Sequence, residues 1–237
     1  MLTASGLDAI RQFDTCAISD AIEQFGVRLR NEGFTRPGLK CLTQSEPRVL
    51  GYAATFRVRS TNPPATGGTF LDRTDWWEAI DRLPTPRVAV IRDLEPAPVG
   101  SCAGEIHAAV LKALGCEAVI TNGAVRDLPA VKRLGFPMFA QYVAVSHSYT
   151  HVIDYGSPVE IFGLEIHNGD LIYADCHGAV VIPSHIAGAL AEIAAQIRAK
   201  EALLVEACLS HAAARHSFRS PKAFREELLS LIGSDPK

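Results

Sequence analysis

Apolar residues near the start of the chain recur at three- and four-residue steps, which is the spacing of one helix face. A glycine at position 26 follows them and is a typical helix stop. The apolar positions are Ile10, Phe13, Ile18, Ile22 and Phe25. The pattern predicts a helical arm over residues 1–35.

From about residue 40 to 185 the pattern changes to short apolar runs that alternate with amphipathic segments. Residues 52–59 alternate apolar and polar side chains as a strand does, and 88–91 and 118–120 are β-branched runs typical of buried strands. Helices are predicted over 105–114 and 128–134, because a glycine follows each. A short helix around Trp76 and strands at 139–145, 159–166 and 171–182 complete the pattern. Alternating strands and helices are typical of an α/β fold with a parallel sheet.

The end of the chain has a helical composition. Residues 184–211 contain almost no glycine or proline, and a second helical segment covers 222–231 after a proline. The sequence therefore predicts one α/β domain over 1–237, with a core at about 40–185 and helical arms at 1–35 and 184–237.

Composition and charge exclude several classes of protein. The chain has 237 residues, 48% of them hydrophobic, and a formal net charge of −3, which together exclude general disorder. No apolar run reaches the roughly 18 residues that a membrane span needs. With 23 basic and 26 acidic residues there is no electrostatic footprint for nucleic acid. We therefore expect neither a nucleic acid nor a membrane as partner.

The cysteines indicate a reducing compartment. Six cysteines are widely spaced and form no C-x-x-C pair, and the first residues lack a basic region followed by an apolar core. Reduced thiols in a chain without a secretory signal are typical of the cytoplasm, which is the expected location.

Two consecutive predicted strands each lead through a loop into a helix N-terminus. Ligands of open α/β sheets bind outside the carboxyl ends of strands, where helix N-termini direct their N–H groups outward. The first loop ends in Gly104, Glu105, Ile106 and His107, and the second ends in Arg126 and Asp127. If the strands are neighbours, the two loops face each other.

The residues of these loops suit a metal ion and a small acid. The amides of 105–107 suit a carboxylate, and the guanidinium of Arg126 matches a carboxylate or enolate oxygen. Glu105 and Asp127 add two carboxylates, and Mg²⁺ commonly uses one or two of these together with water. Simpler interpretations stay open. Asp127 could be the N-cap of the next helix, and Glu105 could be present only because the helix dipole favours a carboxylate in the first turn. Arg126 could be solvated.

The ordered motifs resemble a known family. Glu105, twenty further residues and then Arg126-Asp127 resemble the acidic-X20-Arg-Asp signature of class II pyruvate aldolases of the 4-hydroxy-4-methyl-2-oxoglutarate type. That family also includes the RraA-like regulators of ribonuclease E activity. Supporting matches are Thr15, Ser19-Asp20-Ala21, 51–55, 122–127, 136–139, Gly169-Asp170 and 175–178. The resemblance covers residues 14–185.

The resemblance implies a swivelling β/α/β domain and ring-like trimers, sometimes paired into hexamers, with sites near subunit contacts. It implies Asp127 as the direct ligand of Mg²⁺ or Mn²⁺ and Arg126 as the contact to the keto or enolate oxygen of a small 2-oxo acid. Gly104 to His107 would hold the carboxylate, and Glu105 would orient water or relay a proton. The implied reactions are cleavage of 4-hydroxy-2-oxo acids to pyruvate and decarboxylation of oxaloacetate. Glu105 departs from the aspartate usual at its position, so its water contact is expected to shift.

Other interpretations compete with this one. Cys102 in Gly100-Ser-Cys-Ala-Gly104 matches a nucleophile elbow, although prolines interrupt the preceding strand. His147 and His151 have the four-residue spacing of a helical zinc pair within a strand-like segment. His177 is expected to be structural or to lie at a subunit contact. The rival of a different class is a non-catalytic, protein-binding regulator of the ribonuclease E type.

Overall fold

The strands form one large mixed sheet, one small parallel sheet and a separate hairpin. The computed structural model describes residues 2–65, 74–213 and 221–232. The strands in this part of the chain are β1 (Lys40–Cys41), β2 (Val49–Arg59), β3 (Arg87–Asp93), β4 (Ser101–Ala103), β5 (Cys116–Thr121), β6 (Ala124–Val125), β7 (Met138–Ala140), β8 (Tyr142–Val143), β9 (His151–Tyr155), β10 (Val159–Ile161), β11 (Leu164–Ile166), β12 (Leu171–Asp175) and β13 (Gly178–Ile182).

The helices alternate with these strands in the middle of the chain and lie at its two ends. They are α1 (Ala4–Ile10), α2 (Thr15–Glu23), α3 (Asp75–Asp81), α4 (Glu105–Ala113), α5 (Leu128–Arg133), α6 (Leu190–Ala213) and α7 (Pro221–Ile232), with a 3₁₀ turn at Ala187–Ala189. In the described ranges, none of the helices has the length and apolar character needed to cross a membrane.

The large sheet has the strand order β1-β7-β5-β3-β2-β12-β13, and β9 pairs with β2. Strands β2, β3, β5 and β7 are parallel neighbours, and α3, α4 and α5 make the crossovers between them. This confirms the predicted α/β class. The strands at 88–91 and 118–120 are neighbours, so their carboxyl ends lie side by side and the condition for facing loops is met.

The small sheet joins the segments that follow the large sheet. Strands β4, β6 and β8 are parallel, with Ser101 opposite Ala124 and Ala124 opposite Tyr142. The sequence predicted loops where β4 and β6 lie. These strands are two or three residues long, too short for an apolar period to show.

Several boundaries differ from the predicted ones. Residues 159–166 and 171–182 were predicted as single strands, but each is a hairpin, β10–β11 and β12–β13. The turns are only two residues long, so the apolar pattern continues across them. The segment 139–145 is divided between β7 and β8, and β9 was not predicted.

Helices α1 and α2 and the start of α6 share one apolar cluster with the large sheet. Helix α2 contacts α6, β12 and β13, and α1 contacts α6. The shared apolar cluster contains Leu7, Ile10, Ile18, Ile22, Leu50, Tyr173, Val180, Leu190 and Ala194, all buried. The helical prediction for 1–35 is confirmed for α1 and α2 and is wrong for 24–35, because Gly26 at φ 59° ends the helical path. The single-domain boundary at 1–237 stays a prediction.

Candidate metal and substrate site

The pairing of β4 with β6 brings the two predicted site loops together. Ala103 lies opposite Val125 in the register, and the Arg126 amide donates to the Ala103 carbonyl oxygen at 3.0 Å. Gly104 and Asp127 each follow this pair by one or two residues. The structure therefore places Gly104, Glu105, Arg126 and Asp127 together, as the sequence predicted.

A hydrogen-bonded brace beneath the loops fixes the ends of β3 and β5. The Asn122 side chain accepts from the Asp93 amide at 2.8 Å and donates to the Asp93 carbonyl oxygen at 2.9 Å. The Thr121 hydroxyl donates to the Ile91 carbonyl oxygen at 2.7 Å. This role of Asn122 was not predicted from the sequence. The sequence feature that could have indicated it is the position of this polar residue between a buried strand and Gly123.

Asp127 occupies the N-cap position of α5 but does not cap that helix with its side chain. Its backbone is left-handed, at φ 58° and ψ 31°, a conformation that aspartate tolerates better than most residues. Its Oδ2 instead accepts the Glu105 amide at 3.1 Å, and the Arg126 Nε lies 3.3 Å from the same oxygen. The carboxylate thus bridges the arginine and the first residue of α4.

The geometry around Asp127 fits a divalent ion. Its side chain is 39% exposed, and no described residue donates a hydrogen bond to Oδ1. A Cβ on Gly104 would lie 2.6 Å from Asp127 Oδ2, so the absence of a side chain there makes the room for the carboxylate. A carboxylate on a partly exposed side chain is a ligand that Mg²⁺ and Mn²⁺ accept together with water.

The N-terminus of α4 contributes positive potential beside this carboxylate. Gly104 is the N-cap, and its carbonyl oxygen accepts the Ala108 amide at 2.9 Å. The first amides of a helix have no acceptor within the helix, so they favour an anion. One of these amides, that of Glu105, already donates to the Asp127 carboxylate. The start of α4 therefore helps to position the candidate metal ligand. The side chains of Glu105 and Ile106 are exposed.

His107 differs from the other predicted residues because it is partly buried. Its pKa is lowered from 6.5 to about 4, first by burial and then by the charges of Arg126 and His147, partly opposed by the charge of Asp127. The imidazole is therefore neutral at pH 7. Because His107 is neutral, the positive side-chain charge that the predicted residues of the two loops bring to this site is that of Arg126.

We predict that His107 makes folding stability depend on pH. The unfolded chain binds a proton on this histidine below pH 6.5, whereas the folded chain resists it until about pH 4. This contribution to stability is therefore fully present above pH 6.5 and is lost as the pH falls toward 4. Urea unfolding across that range should show a smaller loss of stability in His107→Gln than in the unsubstituted chain. Parallel curves for the two proteins would contradict the assignment.

We predict that Gly104→Ala displaces the Asp127 carboxylate. The added Cβ would meet Asp127 Oδ2 at 2.6 Å and the Arg126 Cγ at 3.0 Å. The expected cost is about 1–3 kcal/mol in the free energy of unfolding, together with weaker divalent-ion binding. Gly188→Ala is the matched control, because no atom of the described residues lies within 4 Å of the Cβ it would add. Equal behaviour of the two variants would contradict the close approach.

Two competing interpretations do not match the structure. Cys102 is 0% exposed, and its thiol lies 3.2 Å from both the Thr121 Oγ1 and the Ala124 carbonyl oxygen. Burial raises its pKa to about 12, which is the opposite of an activated nucleophile. His147 and His151 lie on a loop and on β9, so the helical zinc-pair interpretation is wrong.

The model of the RraA-like family, described as Aldolase/RraA, matches residues 15–181. A protein of Halalkalibacterium halodurans named "Putative 4-hydroxy-4-methyl-2-oxoglutarate aldolase" is 29% identical over 186 residues, covering 77% of this chain and 80% of that protein. An uncharacterized protein from Pseudomonas syringae pv. tomato has a similar structure, with TM-score 0.69, 24% identity and coverage of 88% and 90% of the two chains. The Streptomyces coelicolor protein RraAS2, an unusual member of the RNase ES inhibitor RraA protein family, has TM-score 0.68 and 20% identity, with coverage of 85% and 96%.

The fold and the paired loops place the chain among α/β proteins of the swivelling β/α/β class. The family match spans most of its length. The chain belongs to the RraA-like family. The similar solved structures are less than 25% identical, so they support the fold alone.

Proposed function

We propose that the protein is a divalent-metal-dependent class II pyruvate aldolase. It cleaves 4-hydroxy-2-oxo acids of the 4-hydroxy-4-methyl-2-oxoglutarate type and also decarboxylates oxaloacetate. The observation that carries this proposal is the half-exposed Asp127 carboxylate, fixed through Oδ2 by the Glu105 amide and the Arg126 guanidinium, with no hydrogen bond to Oδ1 from the described part of the chain. The aldolase name of the Halalkalibacterium halodurans relative supports the same class.

Asp127 would hold Mg²⁺ or Mn²⁺, with water completing the shell. When bound, the ion supplies Lewis acidity toward the 2-oxo acid. Arg126 contacts the keto oxygen and stabilises the negative charge that grows there. Gly104 to His107, at the start of α4, orients the carboxylate through backbone amides. Glu105 extends from the same turn and orients water or relays a proton.

The proposed cleavage is balanced within the substrate. The C4 hydroxyl loses its proton and becomes a carbonyl, while the C3–C4 bond breaks and leaves its electron pair on the pyruvate enolate. A proton then returns to C3 of that enolate to give pyruvate. Loss of carbon dioxide from oxaloacetate gives the same enolate, so the charge of Arg126 serves both reactions.

We further propose that the protein assembles as a homotrimer, or as a pair of trimers. We call Tyr142, Val143 and Val145 the apolar edge. All three are exposed, Val145 at 97%, and β8 pairs with β6 on one side of the described small sheet. The Ala144 amide donates to the Val125 carbonyl oxygen at 3.0 Å, so the apolar edge runs beside the strand that leads into Arg126. A second copy on this edge would place the site at a subunit contact.

The assay for the proposed function follows pyruvate release from 4-hydroxy-4-methyl-2-oxoglutarate and from oxaloacetate, with added Mg²⁺ or Mn²⁺ and with EDTA. We expect turnover that EDTA abolishes and that either ion restores. Light scattering after size exclusion measures the assembly. No turnover on either substrate, combined with capture of ribonuclease E by the protein, would favour the non-catalytic regulator instead.

A further inference from the structure

The ladder between β3 and β5 ends just before the chain leaves the large sheet. The last pair in the register is Ile91 with Thr121, whereas β3 continues to Asp93. The Asn122 side chain bonds to both backbone groups of Asp93, accepting from the N–H at 2.8 Å and donating to the C=O at 2.9 Å. The carboxamide of Asn122 therefore takes the place of the next backbone partner in a continued parallel ladder.

The Thr121 hydroxyl replaces a second backbone partner at the same point. It donates to the Ile91 carbonyl oxygen at 2.7 Å and accepts the Gly123 amide at 2.9 Å, and the whole residue is buried. The Gly123 amide thus bonds to a side chain, and the chain turns away from the large sheet with this donor satisfied. We call Thr121, Asn122 and Gly123, together with Asp93, the polar junction.

Gly123 passes so close to its neighbours that it has no room for a side chain. A Cβ at this position would lie 3.0 Å from the Asp93 Cβ and 3.1 Å from the Cys102 sulfur. Asp93 ends β3 and Cys102 lies in β4, and both are buried. The backbone at Gly123 therefore packs against both strands, and β6 begins at the next residue.

Strand β6 connects the polar junction to the candidate metal ligand. It is two residues long, and Arg126 and Asp127 follow it at once. The Arg126 amide donates to the Ala103 carbonyl oxygen at 3.0 Å, and the Glu105 amide donates to Asp127 Oδ2 at 3.1 Å. We call these two N–H groups the bridging amides, because they join the two site loops.

We infer that Asn122 and Thr121 are positioning residues for the proposed reaction. They set the pairing of β6 with β4 and, through this pairing, the placement of Arg126 and Asp127. A strand of two residues makes few backbone bonds, so its placement depends on the junction that precedes it. Groups behind a metal ligand commonly affect metal affinity and activity by 10–100-fold. The effect on turnover rests on the proposed function, whereas the effect on the β4–β6 pairing does not.

The test compares hydrogen exchange in full-length Asn122→Ala, Thr121→Val and Asn168→Ala. Asn168 is the matched control, because its Oδ1 accepts the Thr55 amide at 3.2 Å and so braces β2 from the turn between β11 and β12. In the first two variants the bridging amides should exchange at least about tenfold faster, because the β4–β6 pairing loosens. In Asn168→Ala they should exchange as in the unsubstituted chain. Thr121→Val keeps the shape of a buried side chain, so it tests the junction even if Asn122→Ala lowers stability.

Turnover of oxaloacetate at saturating Mn²⁺ gives the second readout. Asn122→Ala should lower kcat at least about tenfold and leave KM within about threefold of the original. The reason is that a displaced Arg126 no longer meets the charge that develops in the transition state. Asn168→Ala should change neither constant, although it also loses a bond between a side-chain amide and the backbone.

Three results would overturn the inference. These are bridging amides that keep their protection in both Asn122→Ala and Thr121→Val, equal acceleration of their exchange in Asn168→Ala, and an unchanged kcat in Asn122→Ala despite faster exchange. An unsubstituted chain without metal-dependent turnover would contradict the proposed function alone. The exchange of the bridging amides would then still decide whether the polar junction sets the β4–β6 pairing.

Discussion

Replacing Asp127 by asparagine should lower metal-dependent pyruvate release by about three orders of magnitude, or about 4 kcal/mol in the activation barrier. Asparagine has nearly the same shape, tolerates the left-handed backbone at φ 58° and retains an oxygen that accepts the Glu105 amide. The substitution therefore removes the charge and leaves the loop in place. The measurements are kcat/KM at high Mg²⁺ and the affinity for Mn²⁺, and both should fall.

The control is Asp8→Asn, because Asp8 is an exposed carboxylate on α1, a helix that packs against α6. It should leave turnover and metal affinity unchanged. The unfolding midpoint of Asp127→Asn should stay near that of the unsubstituted chain. Activity of Asp127→Asn within about threefold of the original would contradict a role for this carboxylate as the metal ligand.

The parts of the fold that the sequence predicted are those with a strong local pattern. The strands that became β3 and β5 were visible as β-branched runs, and α4 was visible through its apolar spacing and the glycine after it. Their adjacency was a condition that the sequence left open, and the parallel pairing of β3 with β5 meets it. Under that condition Gly104 and Asp127 were expected to face each other.

The small sheet could not be predicted because its pairing is not local. Strands β4 and β6 contribute three and two residues, and each is stabilised by a partner about twenty residues away in the chain. Such short strands have no detectable period. The turns of β10–β11 and β12–β13 were not predicted for a similar reason. Each has only two residues, and the apolar pattern continues on both sides of it.

The orientation of Asp127 was equally hidden. Its sequence neighbours, Leu128 and Pro129, favour an N-cap of α5, and the residue does occupy that position. Its side chain nevertheless bonds to the start of α4, because Gly104 leaves room and β4–β6 pairing brings that helix close. The neutral state of His107 also depends on burial and on Arg126, neither of which the local sequence specifies.

Replacing Arg126 should lower kcat in steps that depend on the new residue, without the fall in metal affinity expected for Asp127→Asn. Arg126→Lys keeps a positive charge but loses the planar fork, so kcat should fall by about 10²-fold. Arg126→Gln removes the charge as well, and kcat should fall by about 10³-fold. The Mn²⁺ affinity of both variants should stay within a few-fold of the original, because Asp127 still accepts the Glu105 amide.

This split between rate and metal affinity decides whether Arg126 acts on the substrate or only supports Asp127. Its Nε lies 3.3 Å from Asp127 Oδ2, so a purely supporting role would make metal affinity and kcat fall together. Arg82→Gln is the control, because Arg82 is an exposed residue that ends α3 and pairs with Glu78. If Arg126→Lys bound Mn²⁺ as poorly as Asp127→Asn does, Arg126 would be a positioning residue. If its metal affinity were retained while kcat fell, the guanidinium would act where the enolate charge develops.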